Sequence, residues 1–235
     1  MKDKWLNSSL ACNLGLPTQK VYKYLSSQFV DSFVNGSSIR IGTLNDFRDI
    51  EKHQYGISDS MEGSASTYFA DTEHVSGQGR EKLQKDLNPL FGFPEKTVID
   101  LNHIEVVVSH TDCYIFSTSL DSGDLTGKSI TIDDPDEYNS VVEINNMFRL
   151  AELLVGRLFE LGLCTGQYWC KPVVYRKMKR QYDKDGFHMP DPFLKDNEFE
   201  NQREFRVMIE ATNREIQPEI IKIDKLPDYL LRRLT

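Results

Sequence analysis

The chain lacks the spacings that mark a metal or redox centre. Cys12, Cys113, Cys164 and Cys170 form no CxxC pair, and His53, His74, His103, His110 and His188 complete no zinc pattern, so no structural metal is expected. Long apolar runs are missing as well. The opening MKDKWLNSSLACNLGLPTQK has no uninterrupted apolar core of signal length, and nothing later approaches a membrane span; a soluble, cytoplasmic protein with no membrane partner is expected. Nor is there an excess of positive charge. A formal net charge of −8 argues against polyanion binding over the whole surface and confines any nucleic-acid contact to a local patch. Hydrophobic residues, by contrast, make up 39% of the 235 positions, enough for a real core, and the chain is read as a single domain over residues 1–235.

The stretch FENQREFRVMIE, residues 199–210, carries the sharpest local pattern. Phe205, Val207 and Ile209 alternate with Glu204, Arg206, Met208 and Glu210, the period of a strand with one buried face. The other face is left for chemistry or for solvent. Gln202 and Glu204 are two apart, so an extended chain projects both to one side as a paired amide and carboxylate; the alternative is an exposed polar edge.

Upstream, VYKYL predicts a strand and the next residues a helix, capped by Ser26 or Ser27, striped by Phe29, Val30, Phe33 and Val34, and ended by Gly36. In the following strand, SSIRIGTL, Ile39 and Ile41 face one way and Arg40 and Gly42 the other. Lys23 and Arg40 are thus cations on early strands, either surface charges or a place to hold a phosphate. NDFRDIEKHQYGISDSMEG predicts a short helix and a long loop over the mouth of a cleft. STYFA is a candidate strand, and the polar excursion from Thr72 to Lys96 is expected to be the least ordered part, with one short helix over Arg80 to Leu87.

Three strands follow, TVIDL, IEVVVSH and CYIFSTSL. The last closes in Ser117, Thr118 and Ser119, whose hydroxyls alternate between faces, so some must find partners inside the structure. An acidic turn from Asp133 to Tyr138 leads to the strand SVVEI. Asn145 then caps a helix to about Leu161, with Phe148, Leu154, Val155, Leu158 and Phe159 as its buried face. GQYWCKPVVYRKMKRQY begins as a strand and turns basic. Arg176, Lys177, Lys179, Arg180 and Lys184, interleaved with Tyr175 and Tyr182, form either a solvated strand end or a dock for a phosphate-bearing partner. Gly186 to Asn201 is expected to be a loop, and LPDYLLRRL a short amphipathic helix.

In chain order, then, stand a cation on an early strand, Ser117-Thr118-Ser119, and Gln202-x-Glu204. This order resembles the Arg, Ser-Thr-Ser, Gln/Glu-x-Glu signature of mono-ADP-ribosyltransferases of the bacterial-toxin type. The layout around VYKYL, IRIGTLNDFRD and QREFRV also resembles bacterial proteins linked to phage defence and toxin systems. No histidine lies in the early strands, so the pattern is closer to the serine type than to the diphtheria-toxin type. The resemblance implies an α+β fold with a split β-sheet core and flanking helices, and NAD as substrate without a metal. It implies that Glu204 binds a ribose hydroxyl, that Gln202 helps position the acceptor, and that Lys23, Tyr24, Arg40, Ser117, Thr118 and Ser119 hold the cofactor. One departure matters: the enzymes carry arginine on the first strand where this chain has Lys23, with Arg40 on the next, so the cation for the pyrophosphate is left open.

The chemistry fits those residue types. Breaking the nicotinamide–ribose bond builds positive charge on the sugar, which a fixed carboxylate stabilises more in the transition state than in the ground state. The expected acceptor is a macromolecule, RNA, DNA or protein, docked on Arg176, Lys177, Lys179 and Arg180, and an antitoxin or inhibitor is a further expected partner. Two other classes stay open: a non-catalytic nucleotide- or partner-binding module, and a metal-dependent nuclease using the acids Asp46, Asp49, Glu51, Asp59 and Glu62.

Overall fold

The computed structural model describes residues 19–49, 61–69, 78–92, 103–121, 138–224 and 226–234. In chain order these form β1 (Val21–Leu25), α1 (Ser27–Val34), β2 (Ile39–Thr43), α2 (Leu44–Arg48), β3 (Ser64–Phe69), α3 (Gln78–Phe91), β4 (Ile104–Ser109), β5 (Tyr114–Ser119), β6 (Ser140–Ile144) and α4 (Met147–Glu160). They continue as β7 (Cys164–Pro172), β8 (Val174–Tyr175), β9 (Lys179–Gln181), α5 (Tyr182–Asp185), β10 (Leu194–Lys195), a 3-10 helix (Asn197–Gln202), β11 (Glu204–Ala211), β12 (Glu219–Ile221) and β13 (Leu231–Arg233). The architecture is mixed α+β with mostly antiparallel pairing. The expected strand TVIDL and most of the acidic turn before Tyr138 lie outside the described residues, as do residues 50–60 of the expected long loop.

The chain divides into two compact units, one drawn from residues 1–63, 111–176 and 192–235, the other from 64–110 and 177–191. In the second, β3 pairs with β4 and, in parallel, with β9, and α3 sets Leu83 and Leu87 against Phe69. The first holds a sheet in the order β12-β2-β5-β1-β6-β13, with β11 between β5 and β7, and a short parallel pair β8-β10. Helices α1 and α4 give this sheet its main core: Val30 and Phe33 from one, Leu150, Leu154 and Leu158 from the other, against Ile39, Phe116, Val142 and Val207.

The stripes are narrower than the sequence suggests. Phe29 is 54% and Phe159 60% exposed, because each sits beside the row of buried residues that faces the sheet and not in it. The cap of α4 is Asn146, which accepts from Arg149 N–H; Asn145 turns instead to Tyr229 O. The expected loop from Gly186 to Asn201 contains β10 and most of the 3-10 helix. The expected C-terminal helix is also corrected: Leu231–Arg233 is β13, antiparallel to β6. Backbone pairing along that strand satisfies more groups than one turn of helix, and Leu230 and Leu231 are buried. No helix among the described residues is long and apolar enough to cross a membrane.

β5 organises the first unit. One of its edges pairs with β11 from Tyr114 to Ser119. The other edge meets β2 at Tyr114 and Ile115 and β1 only at Ser119, so β1 and β2 diverge across Phe116 to Thr118. Tyr114 and Phe116 enter the helix-covered core, whereas Ile115 joins Leu44, Cys113, Phe193 and Met208 on the opposite face.

Gly36 shows how tightly the first unit is closed. It has φ +73, and a Cβ there would stand 2.6 Å from Ile223 O and 2.8 Å from Leu226 Cδ1, whereas Gly162, at the same φ, has nothing within 4 Å. Gly162→Ala is expected to cost the left-handed strain alone, about 1–2 kcal/mol. Gly36→Ala should cost more, since a backbone carbonyl must also move. Urea unfolding compares them, and equal losses would remove the packing contribution at Gly36.

Candidate functional site

Two hydroxyls of β5 shape the entry of β11. Ser119 Oγ donates to Gln202 O at 2.9 Å and Thr118 Oγ1 to Phe205 O at 2.8 Å, holding the backbone on either side of Glu204. Between them Arg203 adopts φ 44 and ψ 49, and its carbonyl accepts from Leu120 N–H at 2.8 Å. Gln202 and Glu204 therefore do not project together from one extended strand as expected. A left-handed residue turns the chain between them, and Gln202 closes the 3-10 helix while Glu204 begins β11.

Their side chains nevertheless meet, at Lys195. Lys195 Nζ donates to Gln202 Oε1 at 2.8 Å and stands 3.7 Å from Glu204 Oε1 and 3.6 Å from Glu62 Oε2. Arg206 Nη2 pairs with both Glu204 Oε2 and Glu62 Oε1, and Nη1 donates to Pro192 O at 2.6 Å. Two carboxylates thus share two cations in a closed, charge-balanced ring. The side chains of Glu62 and Arg206 are 0% exposed, that of Lys195 1% and that of Glu204 13%. The expectation of a strand with one polar, accessible face is corrected here. β11 pairs on both edges, its second face carries Met208 into a small apolar cluster, and Arg206 is buried there against countercharges.

Electrostatics follow from that burial. Burial alone would raise the Glu204 carboxyl, but Arg206, Lys195 and Lys23 outweigh it and hold the group ionised below its ordinary range. Burial would likewise discharge Arg206, and Glu204 and Glu62 reverse this. Tyr175 accepts the Glu204 N–H at 2.7 Å, and burial together with the Glu204 charge keeps its phenol protonated.

Lys23 stands on β1, with Nζ donating to Ser117 O at 2.8 Å and lying 5.0 Å from the Phe116 ring centroid. Burial lowers its pKa to about 8; Glu204 acts against the fall and Arg40 adds to it. Ser117 Oγ is buried with no hydrogen-bond partner among the described residues. Arg40 on β2 pairs with Asp46 at 2.6 Å, and Asp46 N–H is itself bonded to Thr43 Oγ1. Tyr24 donates to Asp121 O at 3.0 Å.

Of the basic run, Arg176 falls in the first unit and donates its N–H to Lys195 O. Lys177, Lys179 and Arg180 fall in the second; the two lysines are exposed, and Arg180 meets His188 Nε2 at 2.7 Å. Among the described residues no group of three or more His, Cys, Asp or Glu is placed to share a metal ion. Of the acids weighed for one, Asp46 and Glu62 are engaged by cations, and Glu51 and Asp59 lie outside the described residues.

Lys195 and Arg206 are the site residues that motif reasoning missed, and Glu62 was weighed only among the acids for a metal. Arg206 had a signal: it is two residues from Glu204 on the same strand face, and opposite charges there attract. Lys195, in a segment read as loop, had none. Comparison with protein-family models, curated proteins and solved structures returns no match for the chain.

Two outcomes are expected. Arg206→Met leaves two buried carboxylates facing one lysine and should cost about 3–5 kcal/mol in denaturant unfolding, the scale of breaking a buried ion pair; a loss below about 1 kcal/mol would show that the ring contributes little. For Lys23, the folded pKa near 8 lies below the ordinary lysine value of 10.5, so between them the unfolded chain holds a proton the folded chain has released. Its contribution to stability therefore rises with pH across that window. Nitrogen-detected NMR of the lysine Nζ should find one titration near 8 that disappears in Lys23→Met.

Proposed function

We propose that this chain is an NAD-dependent mono-ADP-ribosyltransferase, its first unit built on the split-sheet plan of such enzymes. The observation that carries the reading is the Glu204 carboxylate, kept ionised at the entry of β11 and within electrostatic reach of Lys23 on β1. Lys23 and Arg40 stand on the two strands that diverge beside β5, where a pyrophosphate would meet one cation from each. Ser117 Oγ offers a hydroxyl with no partner among the described residues.

In this reading the bond between the nicotinamide nitrogen and ribose C1′ breaks with its electron pair going to nitrogen, so neutral nicotinamide leaves. Glu204 faces the cationic sugar that results and accepts a hydrogen bond from a ribose hydroxyl. An acceptor nucleophile, or water, then bonds to C1′ and gives up a proton. Gln202 acts through Lys195, to which its amide is tied. The acceptor docks on Lys177, Lys179 and Arg180, a cationic run suited to a nucleic-acid backbone.

Incubation with labelled NAD and cell lysate, without added metal, tests this. Nicotinamide release and label on a macromolecular fraction are expected, and Glu204→Gln should still bind NAD while turnover falls about 10²-fold or more. NAD bound but never cleaved by the wild type would make the chain a nucleotide-binding module; nucleic-acid cleavage that a chelator abolishes would favour a nuclease. NAD affinity should weaken as pH rises through about 8, where Lys23 loses its proton, and Lys23→Met should remove that step. If the acceptor is nucleic acid, Lys177→Ala with Lys179→Ala should lower the salt slope of its binding by about 2. Label confined to protein would reject that acceptor.

A further inference from the structure

The ring around Glu204 is arranged in a way that stability alone does not require. Buried ion pairs seldom stabilise more than neutral groups of the same shape, so a purely structural cluster here gains little from being charged. Its geometry does something more specific. The two oxygens of Glu204 are divided between cations from different places, Oε2 to Arg206 on the same strand and Oε1 towards Lys195 on β10. Glu62 lies across from Glu204 and engages the same two cations, so neither collapses onto Glu204 alone. The turn that brings Glu62 is itself pinned: Arg48 Nε donates to Glu62 O at 2.6 Å, and Arg48 Nη2 to Gly63 O at 3.3 Å. Lys195 is fixed in the same manner, by Gln202 Oε1 and by the Phe199 ring 4.7 Å from its Nζ.

We propose that Glu62 and Lys195 are positioning residues for Glu204: with Arg206 they clamp both oxygens of its carboxylate and set the direction it presents to the ribose. The inference rests on the transferase reading of Glu204. A carboxylate held by one arginine could rotate about its last bond or be drawn into a symmetric pair. Here rotation breaks contacts on two elements at once, and the opposing carboxylate of Glu62 draws on both cations, so that neither turns to Glu204 alone.

The test removes one charge of each sign. Glu62→Gln combined with Lys195→Met keeps the site neutral, leaves the Arg206–Glu204 pair, and preserves volume, so thermal unfolding should stay close to that of the wild type. Crystal structures of the two proteins without NAD then read the carboxylate directly; a displacement of about 1 Å is expected in the double variant, enough to cost roughly 10–10²-fold in kcat for nicotinamide release with little change in KM for NAD. Glu62→Asp, which keeps the charge and only draws it back, should lower kcat in the same direction and serves if the double variant does not fold. An unmoved carboxylate, or wild-type kcat in a folded variant, overturns the proposal. If the wild type releases no nicotinamide, the transferase reading fails, and the carboxylate position still decides whether the clamp exists.

Discussion

The structure depends on one arrangement of charge: Glu62, Lys195, Glu204 and Arg206, closed on themselves away from water. Any one of these groups buried alone would be too costly to keep. Together they sum to zero, and every charge has a countercharge on each side. The residues come from the turn before β3, from β10 and from β11, so the ring forms only when those segments have converged. It stabilises little by itself and discriminates strongly, because a shift of β11 by one residue would set Arg206 among the apolar side chains of the other face.

The β5–β11 pair translates that ring into a local shape. Ser119 and Thr118 hold Gln202 O and Phe205 O, and Arg203 takes the left-handed conformation that lets a 3-10 helix run directly into a strand. Arg203 is a non-glycine residue there, at a conformational cost of about 1–2 kcal/mol. The bonds around it offset that cost: Leu120 N–H reaches its carbonyl, and its guanidinium meets Asp121 at 3.0 Å. The hydroxyl strand thus acts on Glu204 through the backbone on either side of it.

Much of the first unit was legible where a period was clean. VYKYL, IRIGT, YIFSTS, SVVEI and EFRVMIEA all form strands: IRIGT and EFRVMIEA alternate, whereas YIFSTS and SVVEI are short runs rich in aromatic and β-branched residues, the composition of a strand buried on both faces. LPDYLLRRL was not, since two leucines followed by two arginines fit one helical turn as well as a short edge strand, and the free edge of β6 decided the matter. The site was half legible. Glu204, Gln202 and the hydroxyls of β5 could be chosen by spacing, but whether a charged side chain on a strand meets water or a countercharge depends on what covers that face. What covers β11 includes Glu62, far from it in sequence, and Lys195, on β10 a short way upstream, and no local pattern announces either as a partner of Glu204.

The lowered pKa of Lys23 has its origin in the same sheet. Where β1 and β2 diverge, β5 is left with a backbone carbonyl, Ser117 O, that lies between the positions where the two strands pair with it. A part-buried carbonyl turned from the strands beside it is best satisfied by a donor, and Lys23 Nζ supplies one at 2.8 Å. The ammonium that repairs the gap is drawn out of water to do so, with Arg40 adding repulsion, and only Glu204 among its dominant influences favours its charge. A divergent sheet, an orphan carbonyl and a lysine poised near neutral pH are therefore one feature seen at three scales. An anion arriving between β1 and β2 would find a cation already partly desolvated, so binding there would return to Lys23 part of the charge stabilisation that folding removed.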